Sequence, residues 1–496
     1  SGPGCLPARP DAGPGVRPDA GPGRRVVSIA DLHGDGKAMM LHFQKLGLVR
    51  EDVTQEAPIR KIFPWAGGDT VLVLLGDVVG RGRWGSEMYM ILWGLQDEAE
   101  QVGGEVVLLL GNHELLLMQG YLWYVTRSEM CQFVEDKSDS CSREVIRGPL
   151  GGAECREHGD IRCCIPPYAG EHCWDGAAAM AQAWDAGFYG TKVRKLLREG
   201  RMKVAHKVGG QVFVHAGLVS TLWSKLGLQE DGEKAVDKIN AMAAHAIGFK
   251  AVGLREFAGD IGISPSFAII ADDKSNGPMW TRICSAATDS EEAWRQALGS
   301  WEYPMHTFCD EIRHTLHRLG GERLVIGHCP VDEGVVQACE GAFLLSDTMM
   351  STAFSRHTLD DASAREVATN NMAALEFHER DPGAGLWAVY AGREGEDRCE
   401  RMADPGPAEA RQAHFEPQTP STASTGLPSP PVRRKKSIFP KSMFKKARQT
   451  DHELKTPLRA SDGSRRRLFW EMHPMARKTA LIKKAIRRTR TRSRSS

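Results

Sequence analysis

Val26-Val27-Ser28-Ile29-Ala30-Asp31-Leu32-His33-Gly34 decides how the chain is read. Four of its first five residues are apolar, three of them β-branched, and the run is short enough for a buried strand. Asp31 and His33 follow at once, and being two apart in an extended segment they face the same side. The pattern recurs along the chain. Val71 to Leu75 runs on to Asp77, Val106 to Leu110 to Asn112 and His113, Val212 to Val214 to His215, and Leu324 to Ile326 to His328; Phe343 to Leu345 is a sixth such run. Between several of them lie stretches with helical spacing, Lys37 to Leu46, Glu87 to Ala99, Ala177 to Leu197 and Asp310 to Leu319. Strands alternating with helices predict a layered α/β fold. Polar residues collected at strand ends line one sheet edge, where α/β proteins place their ligands.

Composition confines this core. Residues 1–24 repeat one heptad, from Arg9 and again from Arg17, and offer almost nothing apolar to bury, so they are expected to be unstructured. From 396 the chain again turns rich in Pro, Ser, Thr, Gly and Arg, which leaves 25–395 as one catalytic domain. Within it, 128–175 reads as a surface insertion holding Cys131, Cys141, Cys155, Cys163, Cys164 and Cys173. That cluster is either a disulfide-stapled or metal-binding insertion or an unselected insert in a reducing compartment; the spacing lacks paired CxxC ligands. The segment 227–262 is helical in character, as a cap or as plain support for the core.

The net charge of +1 conceals a strong polarity. From Arg433 to the end there are 22 Lys or Arg against four acids, leaving 42 basic and 59 acidic residues for the rest. A tail so basic suits nucleic acid, an anionic membrane surface or the body of the same protein. Val432 to Lys446 and Arg477 to Arg488 also fit basic amphipathic helices, and the alternative is a solvated disordered tail. The longest apolar run, Val106 to Met118, is broken by Gly111, Asn112, His113 and Glu114, so no transmembrane segment is expected. The expectation is a soluble protein, cytoplasmic or nuclear. Organellar targeting stays open because the chain begins at Ser1 rather than Met.

Asp31, His33, Asp77, Asn112, His215 and His328 are a donor set for two metal ions. Hydrolysis of a phosphate ester needs hydroxide near neutral pH and neutralisation of an anionic transition state, and two ions about 4 Å apart supply both. A bridging carboxylate with carboxamide, carboxylate and imidazole ligands holds such a pair, and Asp77 is placed to bridge. Mixed donors of this kind suit manganese, iron and zinc alike.

Asp31-Leu32-His33-Gly34, Gly76-Asp77 through Gly82, Gly111-Asn112-His113-Glu114, Val214-His215-Ala216-Gly217 and Ile326-Gly327-His328 come in an order that resembles the calcineurin-like metallophosphoesterases, and within them the phosphoprotein phosphatases. Further stretches, Asn112 to Gly120, Lys207 to Leu218, Gly277 to Arg282, Val325 to Pro330 and Ser346 to Ser351, look like the Shewanella-like phosphatases. The resemblance spans roughly Val26 to Phe354 and implies a central β-sandwich flanked by helices, with the metals at the strand ends. It implies one metal on Asp31, His33 and Asp77, and a second on Asp77, Asn112, His215 and His328. His113 matches the general acid, Arg81 the phosphate-binding arginine, and Arg282 is a second clamp for phosphoryl oxygens. Glu114 reads as helix-dipole compensation. Cys329 stands beside His328 where the family usually has Thr, so oxidation there would reach a metal ligand. One position departs from the pattern: Gly80 replaces an Asp that orients the catalytic His, leaving Glu87 or Asp35 as a stand-in.

The function this implies is a metal-dependent phosphoprotein phosphatase acting on phosphomonoesters by attack of a metal-bridging hydroxide, with phosphoserine, phosphothreonine or phosphotyrosine as substrate. Gly80 is also the argument for two alternatives, a dinucleoside-polyphosphate (diadenosine tetraphosphate) hydrolase and a catalytically weakened metal-binding scaffold.

Overall fold

A computed structural model describes residues 23–50, 64–122, 124–133, 171–248, 270–271, 276–284, 308–356, 371–381, 385–391 and 397–405. The chain divides into the units 1–414 and 415–496, and all described residues belong to the first. Most of the cysteine-rich insertion, the N-terminal repeat and the basic tail lie outside the described residues.

Twelve strands are present among the described residues: β1 (Arg25–Ile29), β2 (Val71–Leu74), β3 (Glu105–Leu109), β4 (Met202–Lys203), β5 (Ala205–Val208), β6 (Gln211–Val214), β7 (Arg323–Ile326), β8 (Val336–Ala338), β9 (Phe343–Leu345), β10 (Ala373–His378), β11 (Trp387–Tyr390) and β12 (Arg398–Arg401). They form two sheets, in the orders β12-β11-β10-β1-β2-β3-β4 and β5-β6-β7-β9-β8. In the first, β1 to β4 run parallel; in the second, β6, β7 and β9 do.

Alternation along the strands explains the layers. Val26, Val71, Val73, Val107 and Leu109 of the first sheet share one buried cluster with Phe213, Val325 and Leu344 of the second. Phe213 stacks on Phe377 across this inner layer, with ring centroids 6.3 Å apart. Val27, Ile29, Leu72, Leu74 and Leu108 point the other way, into a cluster with α1 (Gly36–Lys45) and α2 (Gly85–Ala99). Strands buried on both faces need no polar alternation, which is why they read as continuous apolar runs. The result is a β-sandwich flanked by helices, as expected.

One expectation needs correction. Ala177 to Leu197 is not one helix. It is the end of Glu171–Trp184 and all of Phe188–Arg198, broken where Gly187 turns extended (φ −83°, ψ −157°). A Cβ at Gly190 would collide with the carbonyl of Trp184, so glycine lets the second helix fold back tightly. The segment 227–262 supplies Glu233–Gly248, whose Val236, Ile239 and Ile247 are buried in the core cluster, so this part supports the core. Residues 249–262 lie outside the described ones.

Among the described residues no helix is long and apolar enough to cross a membrane.

Candidate metal centre

Parallel strands all present their C-terminal ends to one edge, so β1, β2 and β3 deliver Asp31, Asp77 and Asn112 while β6 and β7 deliver His215 and His328. The ladder continues past the strands: the His33 N–H donates to the Asp77 carbonyl at 2.9 Å and the Gly34 N–H to that of Val78 at 2.7 Å. Side chains join the two sheets here. The His328 N–H donates to both carboxylate oxygens of Asp31, at 3.1 and 3.2 Å, and His215 Nδ1 bonds the Leu75 carbonyl at 2.9 Å.

All six expected ligands are buried and brought together. His33 Nε2 lies 3.8 Å from Asp31 Oδ2, and His215 Nε2 lies 3.5 Å from Asp77 Oδ1 and 3.0 Å from Asn112 Oδ1. Asp77, His215 and His328 offer ligand atoms within 4.8 Å of one another, as do Asp77, His33 and His113. His113, expected to serve the leaving group, thus sits against the ligands themselves, its Nε2 3.7 Å from Asp77 Oδ2.

This donor set fits cations. Burial pushes the carboxyls of Asp31 and Asp77 well up, and each is raised further by neighbouring carboxylates. Burial holds His328 well below its ordinary value and His215 at about 3, so both rings are neutral. A neutral His215 that donates through Nδ1 keeps a lone pair on Nε2, and that lone pair faces the oxygens of Asn112 and Asp77. Three ligand-type atoms converge there, an arrangement that suits a cation. His328 Nε2 is likewise buried without a hydrogen-bond partner.

The backbone is bent to make this possible. His33 (φ 45°), Asp77 (φ 48°), Arg81 (φ 61°) and His328 (φ 69°) all occupy the left-handed region, which costs about 1–3 kcal/mol per non-glycine residue. Four of the seven such residues among those described are in this centre, so the strain is concentrated where ligands must turn inward.

Arg81 is half-buried between two rings, its guanidinium 4.8 Å from the Tyr124 centroid and 5.0 Å from that of Phe354. Its Nε is buried without a hydrogen-bond partner, a donor free for an anion. Arg282 is exposed at the rim and donates to the His328 carbonyl at 3.2 Å.

Neither proposed stand-in for the missing carboxylate serves His113 in an observed bond. Asp35 accepts the Ala38 N–H at the start of α1 and holds Thr352 through its N–H (3.0 Å) and hydroxyl (2.7 Å). Glu87 is buried at the start of α2, beside Glu129 and Tyr189. Gly80 itself (φ 80°) is packed against the ring, and a Cβ there would collide with His113 Nδ1. The imidazole occupies the space where that side chain would begin.

Two residues do more than the sequence suggested. Glu114 is fully buried and accepts four backbone N–H groups, so it is far more than a dipole partner. Asp347 ends β9 as the ligands end their strands, a signal visible after Phe343 to Leu345 but not used. Its carboxyl is pushed up to about 7 by burial, against the Met349 N–H and the cations Arg81 and Arg282, which favour its ionised form.

Cys284 and Cys329 are paired in a disulfide with Cα atoms 6.3 Å apart, tying the segment that carries Arg282 to the neighbour of His328. Breaking it with a dithiol reductant, or by Cys284→Ser, is expected to raise KM for a phosphate ester several-fold with a smaller change in kcat, because the Arg282 segment loses its tether. A KM unmoved by reductant, with alkylation confirming two free thiols, would count against that role.

Residues 24–224 match the calcineurin-like phosphoesterase family. Shewanella-like protein phosphatase 2 of Arabidopsis thaliana is 26% identical over 330 residues, 66% of this chain and 71% of its own length. An uncharacterized protein of Schizosaccharomyces pombe is 24% identical over 371 residues, 74% of this chain and 81% of its own. Shewanella-like protein phosphatase 1 of Plasmodium berghei is 32% identical over 115 residues, 23% of this chain and 29% of its own. Among solved structures, a cold-active protein-tyrosine phosphatase of a psychrophilic Shewanella species is similar at 17% identity and a TM-score of 0.43, over 76% of this chain and 80% of that one. Residues 24–224 are thus similar to the calcineurin-like phosphoesterases, and the chain is similar to the proteins named Shewanella-like protein phosphatases.

Proposed function

We propose that the protein is a dinuclear-metal phosphoprotein phosphatase that hydrolyses phosphomonoesters. The observation that carries this is the convergence of His215 Nε2, Asn112 Oδ1 and Asp77 Oδ1 as three buried acceptors, with Arg81 Nε free nearby. Asp31, His33 and Asp77 would hold one ion, and Asp77, Asn112, His215 and His328 the other; manganese, iron and zinc all suit these donors. Such ions supply hydroxide near neutral pH and neutralise phosphoryl charge.

The remaining work falls to the chain's own groups. Arg81, stiffened between Tyr124 and Phe354, pairs with two phosphoryl oxygens through its planar fork. Arg282 adds charge from the rim. His113 is placed to give a proton to the departing oxygen, and burial pushes its pKa well down in the protein without metal. A phosphoprotein is the substrate that follows from the relatives' names. The basic tail, as a docking arm for nucleic acid or anionic membrane, rests on its composition alone.

Full-length protein assayed on p-nitrophenyl phosphate and on diadenosine tetraphosphate, with added manganese, tests the reading. Turnover of the monoester is expected, and on phenyl phosphate, whose departing oxygen needs a proton, His113→Asn is expected to lose about 100-fold or more. Preference for the dinucleotide would move the assignment to polyphosphate hydrolysis. Bound metal without turnover of either would leave a metal-binding scaffold.

A further inference from the structure

An aromatic ring packs against His113. Tyr124 stacks on the imidazole almost face to face, with centroids 4.7 Å apart and planes at 19°. The same residue grips the phosphate-binding segment twice: its carbonyl accepts the Arg81 N–H at 2.5 Å, and its ring lies under the Arg81 guanidinium. On the imidazole's other sides stand His33, 4.6 Å away at 56°, and Gly80, which leaves no room for a side chain.

We propose that Tyr124 is a positioning residue, which holds the His113 ring by stacking and couples its placement to that of Arg81. This rests on the phosphomonoesterase reading above and adds a residue to it. A carboxylate partner would fix an imidazole by one hydrogen bond along its edge. A stacked ring instead fixes the plane of the imidazole and leaves its edge nitrogens for other work. The glycine at position 80 is then part of the arrangement, since it lets the imidazole slide under Tyr124.

The test separates positioning from bulk structure by varying the leaving group. A general acid matters little when the departing oxygen is a good leaving group and much when it is a poor one. With manganese-loaded full-length protein, Tyr124→Leu is expected to lower kcat on phenyl phosphate by about 10- to 100-fold. On p-nitrophenyl phosphate the loss should stay within roughly three-fold, and Tyr124→Phe, which keeps the stacking face, should restore both. Equal losses on both esters, or a Tyr124→Phe as impaired as Tyr124→Leu, would overturn the proposal while leaving the phosphatase reading intact. Wild-type protein that hydrolyses neither ester overturns both. Tyr124→Met, measured in parallel, gives the same comparison should the leucine variant fold poorly.

Discussion

Asp77→Asn is expected to lower phosphatase turnover by at least about 1,000-fold while leaving the melting temperature unchanged or higher. Asp77 Oδ1 accepts the His113 N–H at 2.8 Å, and asparagine keeps an oxygen at that place, so the turn after β2 retains its geometry. What disappears is a buried anion. In the protein without metal that anion is unfavourable, because burial and the carboxylates of Glu114 and Asp347 all push its pKa up. Removing it relieves repulsion in the fold, yet it removes the one charged oxygen pair that faces both His113 and His215. Elemental analysis should show the metal content falling from two ions toward one or none. An Asp77→Asn protein with two metals and wild-type turnover would sink the assignment of Asp77 as the shared ligand. Divergence of stability from activity separates this outcome from simple unfolding.

Much of this centre was legible from strand endings. Burial on both faces makes β2 and β9 apolar throughout and leaves β1, β3, β6 and β7 mostly apolar after their first residue, and a polar residue after such a run has nowhere to lie but the sheet edge. The six candidate ligands were picked out that way. β10 was not, because Ala373–His378 carries Glu376 and His378 inside a fully buried strand, and only the structure shows the Glu376 carboxylate meeting Arg25 Nε at 2.5 Å. β4 and β8 are two and three residues long, too short for a period to show. Gly80 was legible as a departure but not as a fit. Its meaning depends on His113 lying against it, and a contact between residues 80 and 113 leaves no mark on local composition. Tyr124 was passed over for the same reason.

Replacing Glu114 by leucine is the larger test of the fold beneath the centre. One oxygen of Glu114 accepts the N–H groups of Asp77 (3.0 Å) and Gly111 (2.9 Å), and the other those of Val78 (2.9 Å) and Val79 (3.3 Å). The turn that carries Asp77 toward Gly80 is therefore wrapped around a single carboxylate. Leucine fills similar volume but accepts nothing, so four buried N–H groups lose their partner. At about 1–3 kcal/mol for each orphaned group, the loss is at least about 4 kcal/mol if the turn does not relax. That is a large share of the roughly 5–15 kcal/mol that holds a protein together, and it should lower the melting temperature by about 10 °C. Glutamine is a sharper variant still, since one of its two positions becomes a donor pointed at donors. Burial opposes the native charge, pushing the Glu114 carboxyl up despite these bonds, so part of the loss is offset by removing a desolvated anion. The net sign follows from number: one desolvated charge against four unsatisfied donors in a turn that also holds Asp77 in the left-handed region (φ 48°). If Glu114→Leu melted at the wild-type temperature and kept its metal, that wrapped carboxylate would be dispensable and the turn would have to be held by the β1 to β2 ladder alone.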